Sequence, residues 1–123
     1  MIELRELDEH VRYLEQLSDE TDAPVVLVNV FHVAPEDADA LIGAWSDDAA
    51  FMARQRGYVS AQLHRGVGAS ATFVNVAEWS SAAALRDAFS SDEFQASLSR
   101  YPSSTTASPH LFRRVAVPGI CGG

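Results

Sequence analysis

The sequence predicts an α+β domain on the ferredoxin-like plan, a four-stranded antiparallel sheet carrying helices on one face, and three observations predict it. Strand-like runs rich in β-branched or alternating apolar residues recur at 25–33, 58–65, 71–79 and 110–117. Helical stripes fall between the first and second runs and between the third and fourth. Glycine, proline or serine punctuates the junctions. The resulting order of strand, helix, strand, strand, helix, strand is that of the split βαβ motif. At 123 residues the chain suits one domain with a single core.

Taken in order, residues 1–23 read as a helical N-terminal arm, because Leu4, Leu7, Val11, Leu14 and Leu17 form one stripe. The stretch around Ile2 to Leu4 has an extended alternative, and Asp22 with Pro24 breaks the arm from the domain at 24–123. Val25 to Val33 is almost wholly apolar, as in a strand covered on both faces. Pro35 opens a helix at a position where a missing N–H costs nothing. Glu36, Asp37 and Asp39 favour that N-terminus, and Ala38, Leu41, Ile42, Trp45, Ala49 and Met52 form a stripe that places Trp45 in the core. Arg54 and Arg56 suit the helix end, and Gly57 stops it.

Tyr58 to Arg65 and Ala71 to Trp79 read as an antiparallel hairpin turning at Gly66 to Ser70. Ser80 or Ser81 caps a helix carrying Ala84, Leu85, Ala88 and Phe89, and SSDEF at 90–94 starts a second. Polar PSSTTASP reads as a surface loop, and His110 to Val117 as the last strand.

With 17 acidic against 9 basic residues the net charge is −8, which repels phosphate backbones and anionic lipid. Nucleic acid and membrane are therefore not expected partners. The single Cys121 excludes an intrachain disulfide or multi-cysteine metal site. His10, His32, His64 and His110 are scattered, so no metal cluster is expected. No long apolar run or signal-like N-terminus is present, and the default location is the cytoplasm.

The strand pattern raises one question, which is why amides sit in buried runs. In the first strand Leu27, Asn29 and Phe31 share a face, and in the third Phe73, Asn75, Ala77 and Trp79 do. Val26, Val28, Val30, Val74 and Val76 point the other way. If the valines meet the helices, the Asn and aromatic face is left exposed, a larger patch than a monomer normally shows. A twofold homodimer with sheets face to face around a pocket follows as the expectation.

The phrases VVLVNVFHV, FMARQRGYVSAQLHRG, FVNVAEWSS and SPHLFRRV resemble the antibiotic biosynthesis monooxygenase family, whose members are dimeric α/β barrels built from ferredoxin-like halves. In motif the sequence is similar to the members that oxidise anthrone intermediates of aromatic polyketides, with Asn29, Asn75 and Trp79 at the matching places. The resemblance implies a cofactor-independent monooxygenase using O₂ as co-substrate on a small hydrophobic aromatic molecule. Haem-degrading relatives take the iron on a histidine after that tryptophan, and none lies between Trp79 and Pro109.

On this reading Asn29 and Asn75 donate to a developing oxyanion, and Trp79 excludes water and stacks on the ligand. The base is the substrate's own phenolate or one of His64, His32 and His110. Phe31, Phe73, Phe51, Phe112 and Tyr58 are the aromatic side chains expected to contact the substrate. Structural alternatives stand beside these roles: both amides bonded to a neighbouring strand or water, and Trp79 in the core or a dimer interface. A polyketide cyclase or dehydratase on the same barrel, and a dimer that binds a small ligand without turnover, are the competing functions.

Overall fold

The computed structural model describes residues 2–123; Met1, first residue of the expected arm, lies outside them. The elements are β1 (Glu3–Leu4), α1 (Tyr13–Gln16), β2 (Val25–His32), α2 (Ala38–Met52), β3 (Tyr58–Arg65), β4 (Thr72–Trp79), α3 (Ala82–Phe89), α4 (Asp92–Ser97) and β5 (Thr106–Phe112). Among the described residues they build one five-stranded sheet in the order β1-β5-β2-β4-β3. Only β1 pairs in parallel. The core is the ferredoxin-like plan, with β1 added at an edge.

The arm is not the continuous helix that its leucine stripe suggests, because local carboxylates take the amides a helix needs. Asp8 Oδ1 accepts from the His10 and Val11 amides at 2.6 and 3.0 Å, and Glu6 Oε1 accepts from the Tyr13 amide at 2.9 Å. One helical turn survives, and it docks through Tyr13 and Leu17 against Trp79, Leu85 and Leu111. Gln16 completes the docking by imitating a strand: its carboxamide accepts from the Leu111 amide at 2.9 Å and donates to the Leu111 carbonyl at 3.0 Å.

The last strand spans Thr106–Phe112, earlier than the expected 110–117, so half of the expected polar loop is strand. Pro109 sits mid-strand without harm. The Ala107 carbonyl bonds to Arg5 and the Leu111 amide to Gln16, so the residues at this parity face the edge, and the N–H that Pro109 lacks would have pointed between β1 and Gln16.

The covered face of the sheet is the one carrying amides and aromatics, the reverse of the expected arrangement. Phe31, Phe73, Trp79, Ala77, Ala107 and Leu111 pack with Leu41 and Ala44 of α2 and with Leu85 and Ala88 of α3. The valines at 26, 28, 30, 74 and 76 lie on the uncovered face, where Val76 is 37% exposed. Alternation assigns residues to faces, but the larger aromatic side chains decide which face the helices must cover, since they bury more apolar area.

Gly57 fixes how β3 leaves α2. Its φ is +87°, and a Cβ there would lie 2.4 Å from the Ala84 Cβ of α3. Gly57→Ala is therefore expected to destabilise the fold by at least ~2 kcal/mol, read as a lower urea midpoint at unchanged slope.

Candidate functional site

β2 and β4 pair so that Asn29 stands directly across from Asn75. Two carboxamides thus share one spot on the covered face, flanked along their strands by Phe31, Phe73, Leu27 and Ala77. Strand geometry places directly opposed Cβ atoms roughly 5 Å apart. The Oδ1 atoms of both amides are buried and accept no hydrogen bond.

Beside the pair, between the sheet and α2, α3 and α4, lies a chamber of about 80 Å³ measured as the space open to water centres. It is large enough for several waters. Trp79, Tyr58, Phe31, Leu27 and Ala77 line it from the sheet side, and Trp45, Asp48, Met52, Leu85 and Phe94 from the helices. The Tyr58 ring meets Trp79 edge-on at 5.7 Å, and Phe31 stacks on Tyr101 at 6.0 Å. A second lobe of about 70 Å³ shares Asn29, Phe31, Met52 and Tyr101 with the first and is walled by Ile2, Leu4 and Tyr13 of the arm.

Several expected site residues lie elsewhere. His64, His110 and His32 register with Val74, Val28 and Thr72, which puts all three on the uncovered face, away from the amides. His64 Nδ1 lies 3.2 Å from the Val74 carbonyl, and His32 Nδ1 lies 3.0 Å from Thr72 Oγ1. His110 Nε2 accepts from the Gln16 amide at 3.1 Å, which leaves the proton on a buried Nδ1 without a partner. None of them can reach a ligand in the chamber through the sheet. Phe112 is on the uncovered face and 44% exposed, Phe51 lies on an outer groove beside Arg54, and Phe73 is packed in the core under the Arg65 guanidinium. Asn29, Asn75, Trp79, Phe31 and Tyr58 are the expected residues that line one chamber.

The carboxylate in the wall is Asp48, which is not among the site residues expected from the sequence. It is 6% exposed, and its Oδ2 has no hydrogen-bond partner. The signal was present: Leu41, Trp45, Asp48 and Met52 follow one another at spacings of four, three and four, so the carboxylate belongs to the apolar stripe of α2. Burial raises its affinity for a proton above the ordinary carboxylate value, while the Ser97 and Tyr101 hydroxyls and the Arg100 charge hold the rise in check. The Tyr101 hydroxyl is in turn made harder to ionise, first by its own burial and then by the Asp48 charge.

The profile of the antibiotic biosynthesis monooxygenase family matches residues 24–99. The chain belongs to that family. Among solved structures this family member is similar to SnoaB, a cofactor-independent oxygenase from Streptomyces nogalater, with 28% identity, a TM-score of 0.69, and coverage of 79% of this chain and 98% of that one. It is also similar to a protein from Shewanella loihica assigned by inference as a monooxygenase, at 33% identity and a TM-score of 0.67, covering 79% and 99%. A Pseudomonas aeruginosa protein at 22% identity, TM-score 0.67 and coverage of 80% and 100%, shares the fold. No protein of curated function matches. Among the described residues no three His, Cys, Asp or Glu side chains converge as a metal site, and no helix is long and apolar enough to cross a membrane.

An acid whose folded pKa is raised is held more weakly as an anion in the folded chain than in the unfolded one. The resulting penalty is full above the folded pKa and fades as pH falls toward the ordinary 3.8. Asp48→Asn is therefore expected to raise Tm by a few degrees at neutral pH and to lose that advantage near pH 4, as calorimetry across pH would read. A carboxylate kept for stability would give the opposite sign.

Proposed function

We propose that the chain is a cofactor-independent monooxygenase that oxidises an aromatic, anthrone-like polyketide intermediate or a related phenol with O₂ inside this chamber. One observation carries the reading. Of the buried polar side-chain atoms that lack a partner among the described residues, Asn29 Oδ1, Asn75 Oδ1 and Asp48 Oδ2 belong to residues that line one aromatic chamber. Buried polar groups are otherwise almost always bonded, so three such acceptor oxygens around one cavity mark a place for a molecule that brings hydroxyl donors, as a phenol does. SnoaB, to which the chain is similar, is a cofactor-independent oxygenase.

The chemistry needs little beyond that arrangement. An anthrone has an acidic CH₂ conjugated through the rings to a carbonyl, and loss of one proton gives an enolate rich enough to reduce O₂. Each amide can turn its NH₂ toward the oxygen where negative charge gathers, and one such donor in a water-poor site is worth roughly 3 kcal/mol to the transition state. Trp79 and Tyr58 offer ring faces and edges for stacking. A cyclase acting by histidine is less well supported, because the sheet separates His32, His64 and His110 from the chamber.

The uncovered valine face supports a homodimer. Val26, Val28, Val30, Val74 and Val76 form an apolar surface across paired strands, and Val115, Val117 and Ile120 of the C-terminal tail are exposed. Such a patch fits a second copy meeting it sheet to sheet. In this reading residues 1–23 are an arm added to a family domain at 24–123, and the exposed free Cys121 fits the reducing cytoplasm.

Purified protein given dithranol should consume O₂ faster than buffer and form the quinone. Asn75→Ala should slow that turnover by roughly ten- to a thousandfold, whereas His64→Ala should leave it unchanged. No O₂ uptake with any anthrone would end the oxygenase reading. Sedimentation should report a dimer, and Val76→Glu should shift it to monomer.

A further inference from the structure

We propose that Asp48 is the general base of this chamber, taking a proton from the substrate carbon and handing it back during oxygen transfer, with the groove behind it as its exchange route to solvent. The inference rests on the oxygenase reading above and assigns that reaction a base on α2 in place of the histidines.

Three features of Asp48 single it out. It is more than nine-tenths buried with one carboxylate oxygen unpartnered, and no Lys, Arg or His nitrogen lies within ion-pair distance of it among the described residues. A structural carboxylate at this depth is normally paired, because an unpaired buried charge is strongly unfavourable. It also stands on the wall opposite the amides, since Asn29 and Asn75 belong to the sheet and Asp48 to α2. In an anthrone the acidic CH₂ and the carbonyl lie at opposite ends of the central ring, so donors for the oxyanion and a base for the carbon are needed on different walls. Finally, Asp48 borders two spaces at once, the chamber and an outer groove lined by Asp47, Arg54, Glu93, Ser97 and Arg100. The charged and titratable groups facing it are therefore Tyr101 and Arg100 from the segment after α4, Asp47 beside it on α2, and Arg54 and Glu93 along the groove.

The protons and electrons close in a cycle. The carboxylate takes one CH₂ proton, leaving the enolate. The enolate passes one electron to O₂, and the radical pair joins as a C–O bond to give a peroxide anion, which takes the proton back from the Asp48 carboxyl. Asp48 then removes the remaining C–H proton as the O–O bond breaks, the C=O bond forms, and hydroxide leaves to be protonated by the same carboxyl. The sum is one CH₂ and one O₂ converted to one C=O and one water. Burial raises the proton affinity of Asp48, which suits a group that must both accept and return a proton.

The test separates proton removal from oxygen chemistry. Anaerobic exchange of the dithranol CH₂ protons in D₂O is followed by NMR, and O₂ uptake in parallel, for the wild type and for Asp48→Asn shown folded by circular dichroism. The expected result is exchange above the buffer rate in the wild type, with Asp48→Asn lowering both exchange and uptake by roughly a hundredfold and abolishing the fall in rate at acid pH. A folded Asp48→Asn with wild-type exchange and the same pH profile overturns the inference while leaving the oxygenase reading intact. Exchange that depends on Asp48 without O₂ uptake keeps the base and overturns the oxygenase reading. Absence of both in the wild type overturns both. If Asp48→Asn does not fold, the wild-type profile decides, because exchange independent of pH between about 4 and 8 contradicts a carboxylate base.

Discussion

Two amides facing each other across β2 and β4 under a layer of helices form the constraint on which the rest of the structure turns. An unbonded buried carbonyl costs about 1–3 kcal/mol, and two of them with an unpartnered carboxylate make the chamber the least self-sufficient part of the interior. The surrounding packing offsets that cost. Trp79, Phe73, Leu41 and Leu85 are each fully buried, and they fill the two core clusters between the helices and the sheet. The space that remains beside the amides is thus a product of the same large side chains that stabilise the fold.

The sheet also sorts the chemistry. Its covered face carries amides, aromatics and, from α2, a carboxylate, while its other face carries valines and the three strand histidines. One face suits a small flat ligand and the other a second protein surface. The arm reinforces the division. Gln16 ties it to the edge of β5, an Asp19–Arg113 ion pair at 2.7 Å ties it to the chain beyond that strand, and Tyr13 with Ile2 and Leu4 closes the second lobe of the chamber. The family match begins only after this arm, so its part of the wall lies outside the matched segment.

Much of this was legible in the sequence and some was not, for identifiable physical reasons. Period-two alternation grouped Asn29 with Phe31 and Asn75 with Trp79, and the cap at Ser81 and the turn at Gly66 to Ser70 fixed the hairpin and third helix. Alternation is symmetric, however, and says nothing about which face the helices take; the expected valine-inward packing was the wrong choice because ring volume outweighs β-branching. The arm's leucine stripe looked helical because side-chain pattern is blind to Asp8 and Glu6 capturing backbone amides. Pro109 hid the start of β5, since a proline is tolerable there only because the N–H it lacks would point away from β2, past the short pairing with β1. Asp48 was overlooked because the run SDDAA resembles a solvated helix face, although its spacing from Trp45 and Met52 placed it inward.

A flat aromatic ligand lying against Asn29 and Asn75 under the helices would be seen by titrating ¹⁵N,¹³C-labelled protein with an anthraquinone, which has no CH₂ to oxidise, while following side-chain amide and methyl resonances by NMR. The Asn29 and Asn75 NH₂ signals are expected to move with saturation, and the Val28 and Val76 methyls to stay in place. Unmoved carboxamides, or shifts confined to the valine face, would contradict that placement.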